Sequence, residues 1–137
     1  QLIFVWVVVF VVSWLTQICC VRRKARKTGK PVWDRLSKLI IYALSPPLLI
    51  GGCFTVFFIL ENKMLWIPGM WMITYGLGVW SAGLFSIREP RWLGAFFIVT
   101  GLITLFFLRE QSLIMLALSF GIYHIIYGTI IFLKYGD

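Results

Sequence analysis

Few side chains in these 137 residues combine a reactive group with a place inside an apolar stretch. His124 is the sole histidine, preceded by Tyr123 and followed one helical turn later by Tyr127. An ionisable group within an apolar span is a candidate functional site by default. One imidazole, however, cannot supply a bis-histidine haem or a zinc site from a single chain. Asp34, Glu61, Glu89 and Glu110 all fall at the ends of apolar runs or between them, so no interior carboxylate is placed to orient the ring or exchange a proton with it. Two readings follow. In one, His124 is a neutral packing residue, hydrogen-bonded to Tyr127 or to a carbonyl or hydroxyl of a neighbouring helix. In the other it contacts a ligand or cofactor. The packing reading is the one expected, and with it no catalytic residue, metal or cofactor.

Ser45-Pro46-Pro47 is the other irregular spot. Two adjacent prolines remove two amide donors and crowd the preceding turn, which predicts a kink or a fresh helix start. Carbonyls freed at membrane depth need protein or trapped water as partners, so this segment is a candidate cavity border as well as a structural kink. Cys19 and Cys20 are adjacent, which suits neither zinc nor a disulfide framework, and Cys53 lies within an apolar run. There is no phosphate-binding glycine loop, no Ser-His-Asp set and no paired-carboxylate motif.

The elements that must position these residues are apolar runs at 2–20, 39–60, 69–87, 92–108 and 112–133. A helix rising ~1.5 Å per residue needs about 20 such residues to cross about 30 Å of hydrocarbon, and each run comes close to that length or reaches it. The expectation is an all-α polytopic transmembrane bundle of about five spans. It divides into a first helix at 1–20, a basic loop at 21–38 and a four-helix region at 39–137. With 61% hydrophobic and 13% charged residues, the chain has too little polar surface for water, where about a quarter charged is usual. If the gap after the first run is cytoplasmic, eleven of the thirteen cations share that side, leaving only Lys63 and Arg109 opposite. The location expected is a membrane, with 21–38 and the C-terminus on its cytoplasmic side. The opening at Gln1, directly in an apolar run and with no signal-peptide pattern, together with this orientation, predicts at least one further helix upstream.

The formal charge of +8 is concentrated beside the first run, at Arg22, Arg23, Lys24, Arg26, Lys27 and Lys30. Anionic lipid head groups on the cytoplasmic side explain that placement better than nucleic acid does. After the Gly29-Lys30-Pro31 turn signal, Val32, Trp33, Leu36 and Ile40 recur at roughly helical spacing, which suits a short interfacial segment. Trp33, Trp66, Trp71 and Trp92 sit near run ends, where amphipathic rings favour the interface. Glycines recur at heptad spacing: Gly76 with Gly83, Gly94 with Gly101, Gly121 with Gly128. In lipid, helices approach closely through such small residues, so the last three runs are expected to pack together. On that basis leucine at Gly121 or Gly128 should harm assembly more than leucine at Gly51.

LSPPLLIGG at 44–52, IPGMWMITYGLGVWSAGLFSIR at 67–88 and LSFGIYHIIYG at 118–128, with RRKARKTGKPV before them, resemble a family of small bacterial integral membrane proteins of uncharacterised function. The likeness spans about 21–136 and implies a helical membrane fold with further helices upstream, in a bacterial cytoplasmic (inner) membrane. It implies no activity. Two function classes remain: a non-catalytic accessory or regulatory membrane protein acting through helix and lipid contacts, with another membrane protein or a second copy as possible partner, and a carrier or channel for a small or lipidic molecule. The sparse interior polarity favours the first.

Overall fold

The computed structural model describes residues 8, 11, 12, 15, 18, 19, 22, 23, 26, 29, 34–85 and 88–135. The chain divides into two units, 1–38 and 39–137. In the first, every described residue from Val8 to Arg26 is helical, Gly29 turns with φ +65°, and Arg22, Arg23 and Arg26 are exposed. The basic segment is therefore helical at those three arginines, where a loop was expected. Lys24, Lys27 and Lys30, most of the run at 2–20 and the segment at 31–33 lie outside the described residues.

Asp34 starts the first long helix, α1 (Arg35–Leu60). Its Oδ1 accepts the Ser37 N–H at 2.8 Å, which satisfies one of the donors that every helix start leaves open. The helix thus begins four residues before the apolar run. It also continues through Pro46 and Pro47, with no break at the Ser-Pro-Pro step. The Ser45 hydroxyl donates to the Ile41 carbonyl at 2.9 Å and reaches the Tyr42 carbonyl at 3.4 Å. Tyr42 is the residue whose i+4 amide Pro46 lacks, so a neighbouring hydroxyl covers part of the loss. The end of α1 is closed by Asn62 in the left-handed region, φ 54°. Asn62 N–H bonds the Ile59 carbonyl and Lys63 N–H the Phe58 carbonyl, the double closure of a Schellman end.

A 3₁₀ turn (Met64–Trp66) leads into α2 (Ile67–Ala82), with Pro68 in its first turn, where a missing amide costs nothing. Next comes α3 (Glu89–Phe107), with Glu89 and Pro90 in its first turn. After a second 3₁₀ turn (Arg109–Gln111), α4 (Ser112–Leu118), a π-helical segment (Ser119–Tyr123) and α5 (His124–Tyr135) run on without interruption. The described residues contain helices and turns and no strand.

Among the described residues, three helical stretches are long and apolar enough to cross a membrane: Arg35–Leu60, Glu89–Phe107 and Arg109–Lys134. The expectation of about five spans is not supported at that number, and the run at 2–20 lies mostly outside the described residues. The run at 69–87 gives a helix of only 16 residues. It stops at Ala82, where the Leu84 and Phe85 amides turn back onto the Ser81 and Ala82 carbonyls. An apolar run overstates helix length wherever its last residues form a turn.

α2 and α3 pack antiparallel along matched glycine ladders. A Cβ on Gly94 would stand 2.6 Å from the Gly76 carbonyl oxygen, and one on Gly101 would stand 2.9 Å from that of Gly69. Gly83 is closed by Arg91, whose Nε donates to the Gly83 carbonyl at 2.9 Å. This is close backbone approach through small residues. α1 leans on α2 where Gly51 meets Thr74, Gly78 meets Leu44, and Trp71 Nε1 donates to Thr55 Oγ1 at 2.9 Å. At the α2 entry, Arg109 lies 4.3 Å above the Trp66 ring. The core proper is Met72, Leu93 and Phe97, with Met115, Phe120, Tyr123 and Tyr127 packed against it from the last helix.

Candidate functional site

Phe97 organises the interior. It is fully buried, and its ring lies 5.0 Å from Tyr75, 4.8 Å from Phe120, 5.3 Å from Tyr123 and 5.6 Å from His124, each contact edge-on. Edge-to-face aromatic pairs add about 0.5–1.5 kcal/mol each beyond the area they bury. Phe120, Tyr123 and Tyr127 present this face by helical spacing on the last helix, while Phe97 shares its face of α3 with Gly94 and Gly101.

His124 is held at both ring nitrogens. Nδ1 lies 2.9 Å from the Phe120 carbonyl oxygen and Nε2 lies 2.9 Å from the Tyr75 hydroxyl. A carbonyl only accepts, so Nδ1 carries a proton. In the neutral ring Nε2 is then the acceptor and the tyrosine hydroxyl donates. The π-helical segment immediately before His124 is the local device for this geometry. The His124 backbone N–H closes on Gly121, and the ring takes the carbonyl one residue earlier. A second interhelical bond, 2.7 Å between Thr100 Oγ1 and Tyr123 Oη, ties α3 to the same segment. The buried hydroxyls of Thr74 and Thr104 are satisfied within their own helices, on the Met70 and Thr100 carbonyls.

Beside this cluster, α3 and α5 part to leave a cleft of about 640 Å³. Arg88, Glu89 and Lys134 form its rim, where Lys134 is ion-paired with Glu89. Trp92, Phe96, Ile126 and Ile130 form the walls, and Tyr123 and Tyr127 lie at the inner end. Trp92, Phe96 and Ile126 remain 69%, 58% and 52% exposed, so the cleft opens sideways onto the surface.

No family model, curated protein or solved structure matches this chain. The likeness to uncharacterised bacterial membrane proteins thus gains no support from these comparisons.

Of the residues singled out from sequence, the structure brings His124, Tyr127 and the Gly76, Gly83, Gly94 and Gly101 ladders into one packed region. Ser45, Pro46 and Pro47 lie on α1 and line no part of the cleft. Gly121 and Gly128 are exposed, and a Cβ on either would meet nothing within 4 Å. Among the described residues they therefore contribute no close helix contact. A Cβ on buried Gly51, in contrast, would stand 2.8 Å from Thr74 Oγ1, which reverses the expected order of damage. Among the described residues no group of three or more His, Cys, Asp or Glu is placed to hold a metal ion. Sequence reasoning missed Tyr75, Phe97 and Thr100. Phe97 carried a signal, because it falls between two ladder glycines at helical spacing, whereas Tyr75 and Thr100 become site residues only through contacts with another helix.

Proposed function

We propose that this chain is a multi-pass protein of a bacterial cytoplasmic membrane, without catalytic activity, that acts as an accessory or regulatory component through helix–helix and lipid contacts. α2, extended by its preceding 3₁₀ turn, completes a crossing beside α3, and the ends bearing Arg88, Arg91 and Lys134 face the cytoplasm. The observation that carries this reading is the division of polarity. The interior hydroxyls of Thr74, Tyr75, Thr100, Thr104 and Tyr123 and the His124 imidazole bond one another or the backbone, while Arg35–Leu60 and Arg109–Lys134 turn broad apolar faces outward, including Leu49, Phe57, Ile125 and Phe132. Large exposed apolar faces mark surfaces made for lipid or for another helix.

The second reading, a carrier for a lipidic molecule, draws support from the cleft. Reconstitution in liposomes carrying a fluorescent lipid, with a reductant added outside, separates the two. The contact reading predicts bleaching of the outer leaflet only, as in protein-free liposomes. Protein-dependent bleaching of the inner leaflet, lost in Ile126→Trp, would replace it with the carrier reading.

A further inference from the structure

We propose that the cleft between α3 and α5 holds one anionic glycerophospholipid, with its phosphate at Arg88 and Lys134 and an acyl chain along Trp92, Phe96, Ile126 and Ile130. The proposal deepens the contact reading above and rests on it. Its first support is depth. Tyr123 at the inner end and Lys134 at the rim are eleven residues apart on one continuous helix. That is about 16 Å at ~1.5 Å per residue, close to half of a hydrocarbon core about 30 Å thick. The cleft is therefore one leaflet deep, with its charges at head-group level and its inner end near the midplane.

Its second support is the order of chemistry along that depth: charged side chains at the rim, aromatic and branched aliphatic walls below them, and tyrosines at the inner end. A path for a polar solute would need polar walls. The sequence here matches an amphiphile lying parallel to the helices. The third support is charge. The rim carries two cations, Arg88 and Lys134, and one carboxylate, Glu89, so it presents a net positive charge to an arriving anion, with Arg88 exposed. Guanidinium is the side chain best shaped for phosphate oxygens. The volume of about 640 Å³ falls in the range of about 300–1,000 Å³ typical of small-molecule sites, and the exposed walls permit entry from the bilayer without opening the bundle.

The test is native mass spectrometry of the full chain released from nanodiscs containing equal phosphatidylglycerol and phosphatidylcholine. Wild type should retain one phosphatidylglycerol in about fivefold excess over phosphatidylcholine, the scale that a single cation carries toward anionic lipid. Arg88→Gln should erase that preference and Arg88→Lys should restore most of it, while Ile126→Trp, which fills the wall, should lower retention of both lipids. Equal retention by wild type, an unchanged preference in Arg88→Gln, or full retention in Ile126→Trp would each overturn the site, as would a non-lipid molecule or a second copy occupying the cleft. A chain that fractionates away from membranes would instead defeat the contact reading itself.

Discussion

The Tyr75 hydroxyl and the His124 ring make a two-sided test of what the buried imidazole does. Tyr75→Phe leaves Nε2 without its donor, and His124→Leu leaves the hydroxyl without its acceptor. Interhelical bonds in membrane proteins average about 0.6 kcal/mol and reach about 1.7 in double-mutant cycles. A cycle over Tyr75→Phe and His124→Leu, measured by unfolding in mixed micelles, should give a coupling in that range, and His124→Gln should be milder than His124→Leu. Zero coupling would mean that the bond has no energetic role. His124 could be singled out from the sequence because it is the sole histidine and no Asp, Glu, Lys or Arg lies within any of the apolar runs. Its partner could not, since Tyr75 stands 49 positions away and only the α2 packing brings it near. The Phe120 carbonyl was equally hidden, because its availability to the ring depends on a π-helical segment that no residue type in 119–123 announces.

At the level of the helices, heptad glycines reveal that two positions share a face but not which way that face points. For α2 and α3 the stripes face each other. On the last helix the inward positions are already taken by Phe120, Tyr123, His124 and Tyr127. Gly121 and Gly128 follow Phe120 and Tyr127 by one residue, about 100° around a 3.6-residue turn, and so point away. The consequence is measurable. Gly94→Ala should lose about 1–3 kcal/mol, the usual cost of forcing a methyl group into a closed contact. Gly121→Ala should be neutral or gain up to about 1 kcal/mol from helix propensity. Thermal midpoints in detergent would show the ranking, and equal losses at both positions would contradict the ladder. At the Ser-Pro-Pro step two prolines forecast a kink or a fresh helix start; the helix does not start afresh, and the Ser45 hydroxyl covers part of the lost backbone bonding.

For the molecule as a whole, helical class and apolar character follow from composition, whereas the number of crossings depends on where each helix ends, which a hydropathy run does not define. The orientation carries both the proposed membrane role and the lipid site, since the Arg88–Lys134 rim must lie at the cytoplasmic head groups. Single cysteines at Asn62 and at Leu84, in a background with Cys19, Cys20 and Cys53 replaced by serine, measure it directly in intact cells. An impermeant maleimide should modify Asn62→Cys at once and Leu84→Cys only after permeabilisation. The reverse pattern, or labelling of both sites in sealed cells, would contradict the proposed topology and remove the basis for the lipid site.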